Sequence, residues 1–143
     1  MILCDVNVLL AGMVAAAPMH ERCRAQLEKL RRSAGPLAVS ELVLAAVVRI
    51  GTNPRVFRPA PSTRAVFAFA DAWRRHPRAV VIHPAQRHWR IFQDLVEQTG
   101  IRGSDTTDAY LAALAIEHGC EWWTLDDDFA RFPGLRYRNL RES

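Results

Sequence analysis

Lysine is nearly missing from this sequence: Lys29 stands alone against 18 arginines in a chain of 143 residues. Cysteine is scarce as well. Cys4, Cys23 and Cys120 are an odd number with no C-x-x-C spacing, which argues against a disulfide framework or a cysteine-rich zinc site and suits a reducing, cytoplasmic compartment. No long hydrophobic run is present. The longest, from Val8 to Ala17, is about half of the roughly 20 residues that a membrane span requires. The residues before it carry Asp5 and neither Lys nor Arg, whereas a signal peptide starts basic, so no membrane association is expected. Repeats, linkers and low-complexity segments are lacking too. What remains, 50% hydrophobic and 24% charged residues, has the composition of an ordinary globular protein, of a length that suits a single domain over residues 1–143.

The charge that is present is mostly arginine. With a net charge of +4 and guanidinium forks that match phosphate geometry, a nucleic-acid partner is one reading; an Arg- and Ala-rich genome would leave the same mark, so charge alone does not decide.

Hydrophobic periodicity alternates short apolar strands with amphipathic helices. Met1 to Cys4 reads as a strand, followed by a helix from Val8 and a second from His20 to Arg32 with Cys23, Leu27 and Leu30 on one stripe. A strand at Leu37 to Val39 leads to Ser40, a cap for the helix "ELVLAAVVRI" that Gly51 closes. The proline-rich "TNPRVFRPAPS" makes a loop, and Ser62 or Thr63 caps a helix through Trp73. "AVVIHP" is a third strand; Gln86 to Gln98 is a helix with Trp89, Phe92, Leu95 and Val96 inward; "TGIRGSDTT" is a loop; "DAYLAALAIEHG" is a helix; "EWWTL" is a fourth strand with Trp122 and Trp123 packing inward; Arg136 to Leu140 forms a short edge strand. The five histidines are scattered and read as surface residues in loops or at helix ends. The fold class expected is α/β, a three-layer sandwich around a mostly parallel sheet of four or five strands.

In parallel sheets, sites lie beyond the carboxyl ends of the strands, near helix N-termini. Asp5 follows the first strand, Glu41 opens the helix after the second, Asp108 lies at the start of the helix before the fourth, and Asp126 follows that strand. Singly, each has a plain structural role: Glu41 suits a helix N-terminus, Asp105 and Asp108 have capping spacing, and Asp128 can cap a short helix "FARF" in a solvated turn. Asp5 fits such a role least, because its flanks are apolar and no basic residue lies within ten positions. Together the four acids fall at one sheet edge, where they would repel unless a hard cation such as Mg²⁺ or Mn²⁺ joined them. That chemistry suits phosphodiester hydrolysis by activated water. Withdrawing four acids from 15 leaves 11 facing 19 Lys and Arg, an acidic hole in a basic surface.

"LCDVNVLLA", "SELVLAAVVRI", "DAYLAALAIEHG" and "WWTLDDDFARFPGLR" resemble, in order and spacing, the PIN-domain ribonucleases, specifically the VapC-type toxins of toxin-antitoxin pairs, from Ile2 to about Leu140. The resemblance implies metal ligands at Asp5, Glu41, Asp108 and Asp126, with Asn7, Thr124 and Asp128 supporting them by hydrogen bonds or through water. It also implies an Mg²⁺- or Mn²⁺-dependent endoribonuclease acting on tRNA or rRNA, a homodimer, and a cognate antitoxin that fills the active-site groove. Asp105 departs from the pattern as a second acid beside Asp108, and the run Asp126–Asp128 leaves the division of roles there open. Arg102, just before Asp105, is a candidate contact for substrate phosphate.

Two rivals remain. Aspartyl-phosphate proteins also place an Asp after an early strand, but they use a Lys after a late strand, and the only Lys here is on the second helix; the related phosphatases also want an Asp where Asn7 stands. A non-catalytic RNA- or protein-binding module retaining the same fold would need no metal and would have no use for four acids at one edge.

Overall fold

The computed structural model describes residues 1–142 and contains five strands and six α-helices in an alternating order. They are β1 (Ile2–Cys4), α1 (Val6–Met13), α2 (His20–Arg32), β2 (Leu37–Val39), α3 (Glu41–Gly51), α4 (Thr63–Arg74), β3 (Ala79–Val81), α5 (His88–Thr99), α6 (Thr106–Glu117), β4 (Glu121–Thr124) and β5 (Tyr137–Asn139). Every paired strand is parallel, as the βαβ alternation requires. The ladders run β1-β4-β5 and β2-β3, with β2 lying beside β1. Among the described residues, no ladder joins β1 to β2. Strands this short leave few positions at which a ladder between twisted neighbours can form.

Successive strand residues point to opposite faces, so full burial along a strand means that both faces are covered. Leu37, Ala38 and Val39 are all buried, as are Leu3 and Cys4, and Trp122, Trp123 and Thr124. β3 and β5 show the opposite pattern, with Val80, Tyr137 and Arg138 exposed, and form the sheet edges. α6 has an Ala-rich sequence that is apolar all round, and Ala109, Ala112, Ala113, Leu114 and Ala115 are completely buried, the pattern of an interior helix. All three cysteines are buried and free. Among the described residues, no helix is long and apolar enough to cross a membrane.

Local signals set the helix starts. Ser40 accepts from the Val43 amide at 3.4 Å and Ser62 from the Ala65 amide at 3.1 Å, each satisfying one orphan donor of a first turn. The first helix begins two residues earlier than its apolar run suggests, at Val6, because Asp5 caps it.

Three expectations fail, two on α5 and one on the acidic turn. Trp89 points outward, 67% exposed, and rests edge-to-face on Phe92 with ring centroids 5.5 Å apart. The buried stripe runs instead through His88 and Leu95, with Ile91, Phe92 and Val96 partly covered, and Trp89 lies one helical step away from it. His88, expected at the surface, is 2% exposed; its ring meets Tyr110 edge-on, and Nε2 donates to the Tyr110 carbonyl at 2.9 Å. A hydrogen bond to that carbonyl is what allows an imidazole to replace the expected indole in the core. Asp128 does not cap the turn after β4. Asp126 does, its Oδ1 accepting from the Asp128 amide at 2.9 Å at the start of a 3-10 segment, Asp127–Arg131.

This packing separates the tryptophans. Trp122→Ala should lower stability by about 3–5 kcal/mol, whereas Trp89→Ala should cost about 1 kcal/mol or less. Urea unfolding of both variants checks the pair; equal losses would contradict the outward placement of Trp89.

Candidate active site

The parallel register of β1 and β4 builds the centre of the site. Cys4 pairs with Trp123, and the Asp5 amide donates to the Trp123 carbonyl at 2.8 Å, so the next step of the ladder sets Asp5 beside Thr124. Asp5 Oδ1 accepts from the Val6 amide at 2.7 Å and Oδ2 accepts from the Thr124 hydroxyl at 2.7 Å. Thr124 is fully buried. Its Oγ1 accepts from the Asp126 amide at 3.0 Å and from Asn7 Nδ2 at 3.5 Å, so its single proton is directed at Asp5. Asn7 completes the frame with Oδ1, which accepts from the Leu125 amide at 3.2 Å. One hydroxyl and one side-chain amide thereby tie the end of β1 to the end of β4.

At this point the acid is compensated by two hydrogen bonds and, among the described residues, by no ion pair. Asp5 is 7% exposed, and burial pushes its carboxyl up to about 6; the bonds from Thr124 and Val6 oppose that shift, and the charges of Asp108 and Asp126 reinforce it. Asp108 is also raised, first by burial, with Arg131 opposing and Asp126, Asp105 and Asp128 adding to the shift. Asp5, Asp108 and Asp126 therefore act on one another as a cluster of like charges. Among the described residues, no Arg, Lys or His forms an ion pair with Asp5.

Glu41 stands apart. From the first turn of α3 its Oε2 accepts from Arg74 Nε at 2.8 Å, with both side chains half-exposed. Asp108, in the first turn of α6, pairs with Arg131, whose Nη2 donates to Oδ2 at 3.2 Å. Asp105 is exposed and precedes α6 without a side-chain capping bond. Asp128 is exposed, and its amide rather than its carboxylate meets Asp126. Arg102 is exposed at the start of the short 3-10 turn Gly103–Asp105 that leads into α6. Nothing in the sequence pattern marks Arg74 or Arg131; each lies more than 20 positions from the acid it meets, beyond the reach of any local spacing rule.

The donor set suits a hard divalent cation: carboxylate oxygens on three elements, one of them buried, with the amide oxygen of Asn7 and the hydroxyl of Thr124 already committed to holding the frame. Among the described residues, no group of three His, Cys, Asp or Glu side chains is drawn close enough to chelate an ion. Two of the four acids are held by arginine instead.

A PIN-domain model matches residues 2–135. The chain belongs to the PIN-domain family. Within that family it is 37% identical over 139 residues to ribonuclease VapC43 of Mycobacterium tuberculosis strain H37Rv, covering 97% of this chain and 95% of the relative. It is 38% identical over 138 residues to ribonuclease VapC25 of the same strain, covering 96% of each. Among solved PIN-domain folds it resembles VapC20 of M. tuberculosis, described as a sarcin-ricin loop cleaving toxin, with a TM-score of 0.68 and 22% identity over 95% of this chain and 99% of that one. VapBC2 of Rickettsia felis, solved with a DNA fragment from its promoter, gives a TM-score of 0.67 at 18% identity over 95% and 96% of the two chains. At such identities these structures share the fold with this chain.

The raised carboxyl of Asp5 fixes the sign of a pH effect. An acid whose folded value lies near 6 and whose ordinary value is 3.8 stabilises the fold fully below pH 3.8, and that contribution is lost as pH rises through about 6. Asp5→Asn, which stays neutral, should match the wild type near pH 4 and exceed it by up to about 3 kcal/mol at pH 7 in metal-free buffer. Chemical denaturation of both proteins across that range reads the difference. A variant less stable than wild type at pH 7 would mean that the Thr124 bond outweighs the charge.

Proposed function

We propose that this PIN-domain ribonuclease is a divalent-metal-dependent endoribonuclease, the toxin component of a type II toxin-antitoxin pair, in which Asp5, Asp108 and Asp126 hold Mg²⁺ or Mn²⁺ and Glu41 completes the ligand set on leaving Arg74. The observation that carries the metal site is Asp5: a buried carboxylate flanked by two further acids, without a cationic partner. A group in that state is normally compensated by a metal or a proton. When bound there, the cation supplies the charge that neutralises a phosphodiester and lowers the pKa of an attacking water.

The chain's own residues prepare this chemistry. Thr124 and Val6 hold both oxygens of Asp5 in a fixed orientation, so the carboxylate needs little reorganisation at the moment of binding. Asn7 fixes the Leu125 amide and thus the exit of β4 that presents Asp126. Asp128 and Asp105 surround the cluster with further negative charge and favour a cation over a bare phosphate. Arg102, exposed beside Asp105, is positioned to meet the phosphate backbone outside the acids, where contacts orient RNA without reading its sequence. No protein nucleophile is required: the buried thiols of Cys4, Cys23 and Cys120 are all raised by burial, away from the thiolate form.

The reading extends to partners by family. Relatives named ribonucleases and the toxin name carried by VapC20 support an RNA substrate, tRNA or rRNA. The VapBC complex among the structural neighbours supports a cognate antitoxin. A homodimer, a single domain over residues 1–143 and a cytoplasmic location complete the proposal.

Total cellular RNA incubated with the purified protein and Mn²⁺, followed by sequencing of newly created 5′ ends, tests it. Discrete ends that vanish with Asp5→Asn and with a chelator are the expected result. Ends identical to those in both controls would turn the reading toward a binding module that keeps the fold without the chemistry.

A further inference from the structure

Among the described residues, Arg131 is the one basic side chain that pairs with an acid of the cluster Asp5, Asp108 and Asp126, and its setting is unlike that of a stabilising ion pair. It ends the 3-10 segment Asp127–Arg131, which Asp126 caps. One short turn therefore presents an acid of the cluster at its start and a cation at its end. The guanidinium makes a single contact with Asp108, Nη2 to Oδ2 at 3.2 Å. Charge-assisted bonds of this kind run nearer 2.7–2.9 Å and are commonly bidentate. The Nε–H is buried and has no partner among the described residues, although a buried donor left unmade costs stability. The side chain rests on Phe132, with the guanidinium carbon 5.1 Å from the ring centre. A cation–π contact with Phe132 thus holds the guanidinium in place, while its hydrogen bonding to the cluster is weak.

Resting on the proposed metal site, we infer that Arg131 is a displaceable internal counterion: it neutralises Asp108 while the site is empty, and a divalent cation loads by exchanging with it. Two cations cannot share a carboxylate oxygen at contact distance without strong repulsion, so a cation that uses Oδ2, the oxygen Arg131 holds, enters by exchange with the guanidinium. The partly buried Arg131–Asp108 pair, 27% and 31% exposed, is the one where this exchange matters; Arg74 and Glu41, 48% and 49% exposed, are closer to a solvent-screened surface pair. Arg131 is in this sense a positioning residue. It offsets part of the like-charge repulsion on Asp108 while the site is empty and sets the threshold of cation concentration at which the site fills.

Calorimetric titration of Mn²⁺ into the metal-free protein, without RNA, reads the exchange directly. Arg131→Met keeps an unbranched apolar side chain beside Phe132 and removes the competing charge, so it should bind Mn²⁺ about fivefold more tightly than wild type, the factor that one such ion pair represents. Arg131→Lys retains the charge and should bind with an affinity near that of wild type. Unchanged or weaker binding by Arg131→Met, with wild type binding normally, overturns the inference while leaving the metal site intact. A wild type that binds no Mn²⁺ overturns the metal site itself. Should the Met variant not fold, the wild type alone suffices: the Arg131 Nε–H resonance should shift on saturation with diamagnetic Mg²⁺, and a resonance that stays in place while Mg²⁺ binds overturns the exchange.

Discussion

A carboxylate sealed at the junction of β1 and α1, held by a buried hydroxyl and given no cation of its own, is the constraint around which this molecule is arranged. Asp5 does two jobs at once. It caps α1 through the Val6 amide and closes the gap to β4 through Thr124. The ladder register that pairs Cys4 with Trp123 is what brings Thr124 to it. That register is in turn fixed by a core in which Leu3 and Trp122 are completely enclosed; a slip of one residue would turn these side chains to the wrong faces of the sheet. The hydrophobic effect therefore sets the register, the register sets the hydrogen bonds, and the hydrogen bonds hold in place a charge that burial disfavours.

The other acids reach this point from separate parts of the chain, and arginines moderate them unequally. Asp126 is tied into the turn after β4 by the Asp128 amide; Asp108 arrives from α6 with Arg131 beside it; Glu41 remains turned toward Arg74. Charge thus falls off in compensation from the surface inward. Glu41 has an exposed arginine, Asp108 a partly buried one, and Asp5, among the described residues, no cation. In the proposed metal site, an entering cation would meet the least compensated carboxylate, Asp5, at the deepest position.

Much of this was legible in the sequence, for identifiable reasons. An Asp among apolar residues with no basic neighbour announces a special environment, and strand-helix alternation places Asp5, Asp108 and Asp126 at the carboxyl edge of a parallel sheet without further information. Caps at Ser40 and Ser62 follow from short-range rules and appear as such. The failures share another origin. Trp89 and His88 compete for one helical face, and their order was decided by Tyr110, a residue 22 positions from His88 that offers a carbonyl. The arginine partners of Glu41 and Asp108 are tertiary contacts with no periodic signature. The convergence of all four acids, the simplest expectation from their shared edge, meets a structure in which Glu41 is drawn off by Arg74.

If these acids share a divalent cation with Asp5 at its focus, anomalous diffraction at the manganese edge, from crystals grown or soaked with Mn²⁺, should show a peak in contact with a carboxylate oxygen of Asp5 and with Asp108 or Asp126. Crystals saturated with Mn²⁺ that show no peak there, or that show Asp5 still bonded only to Thr124 and Val6 with the ion elsewhere, would contradict it.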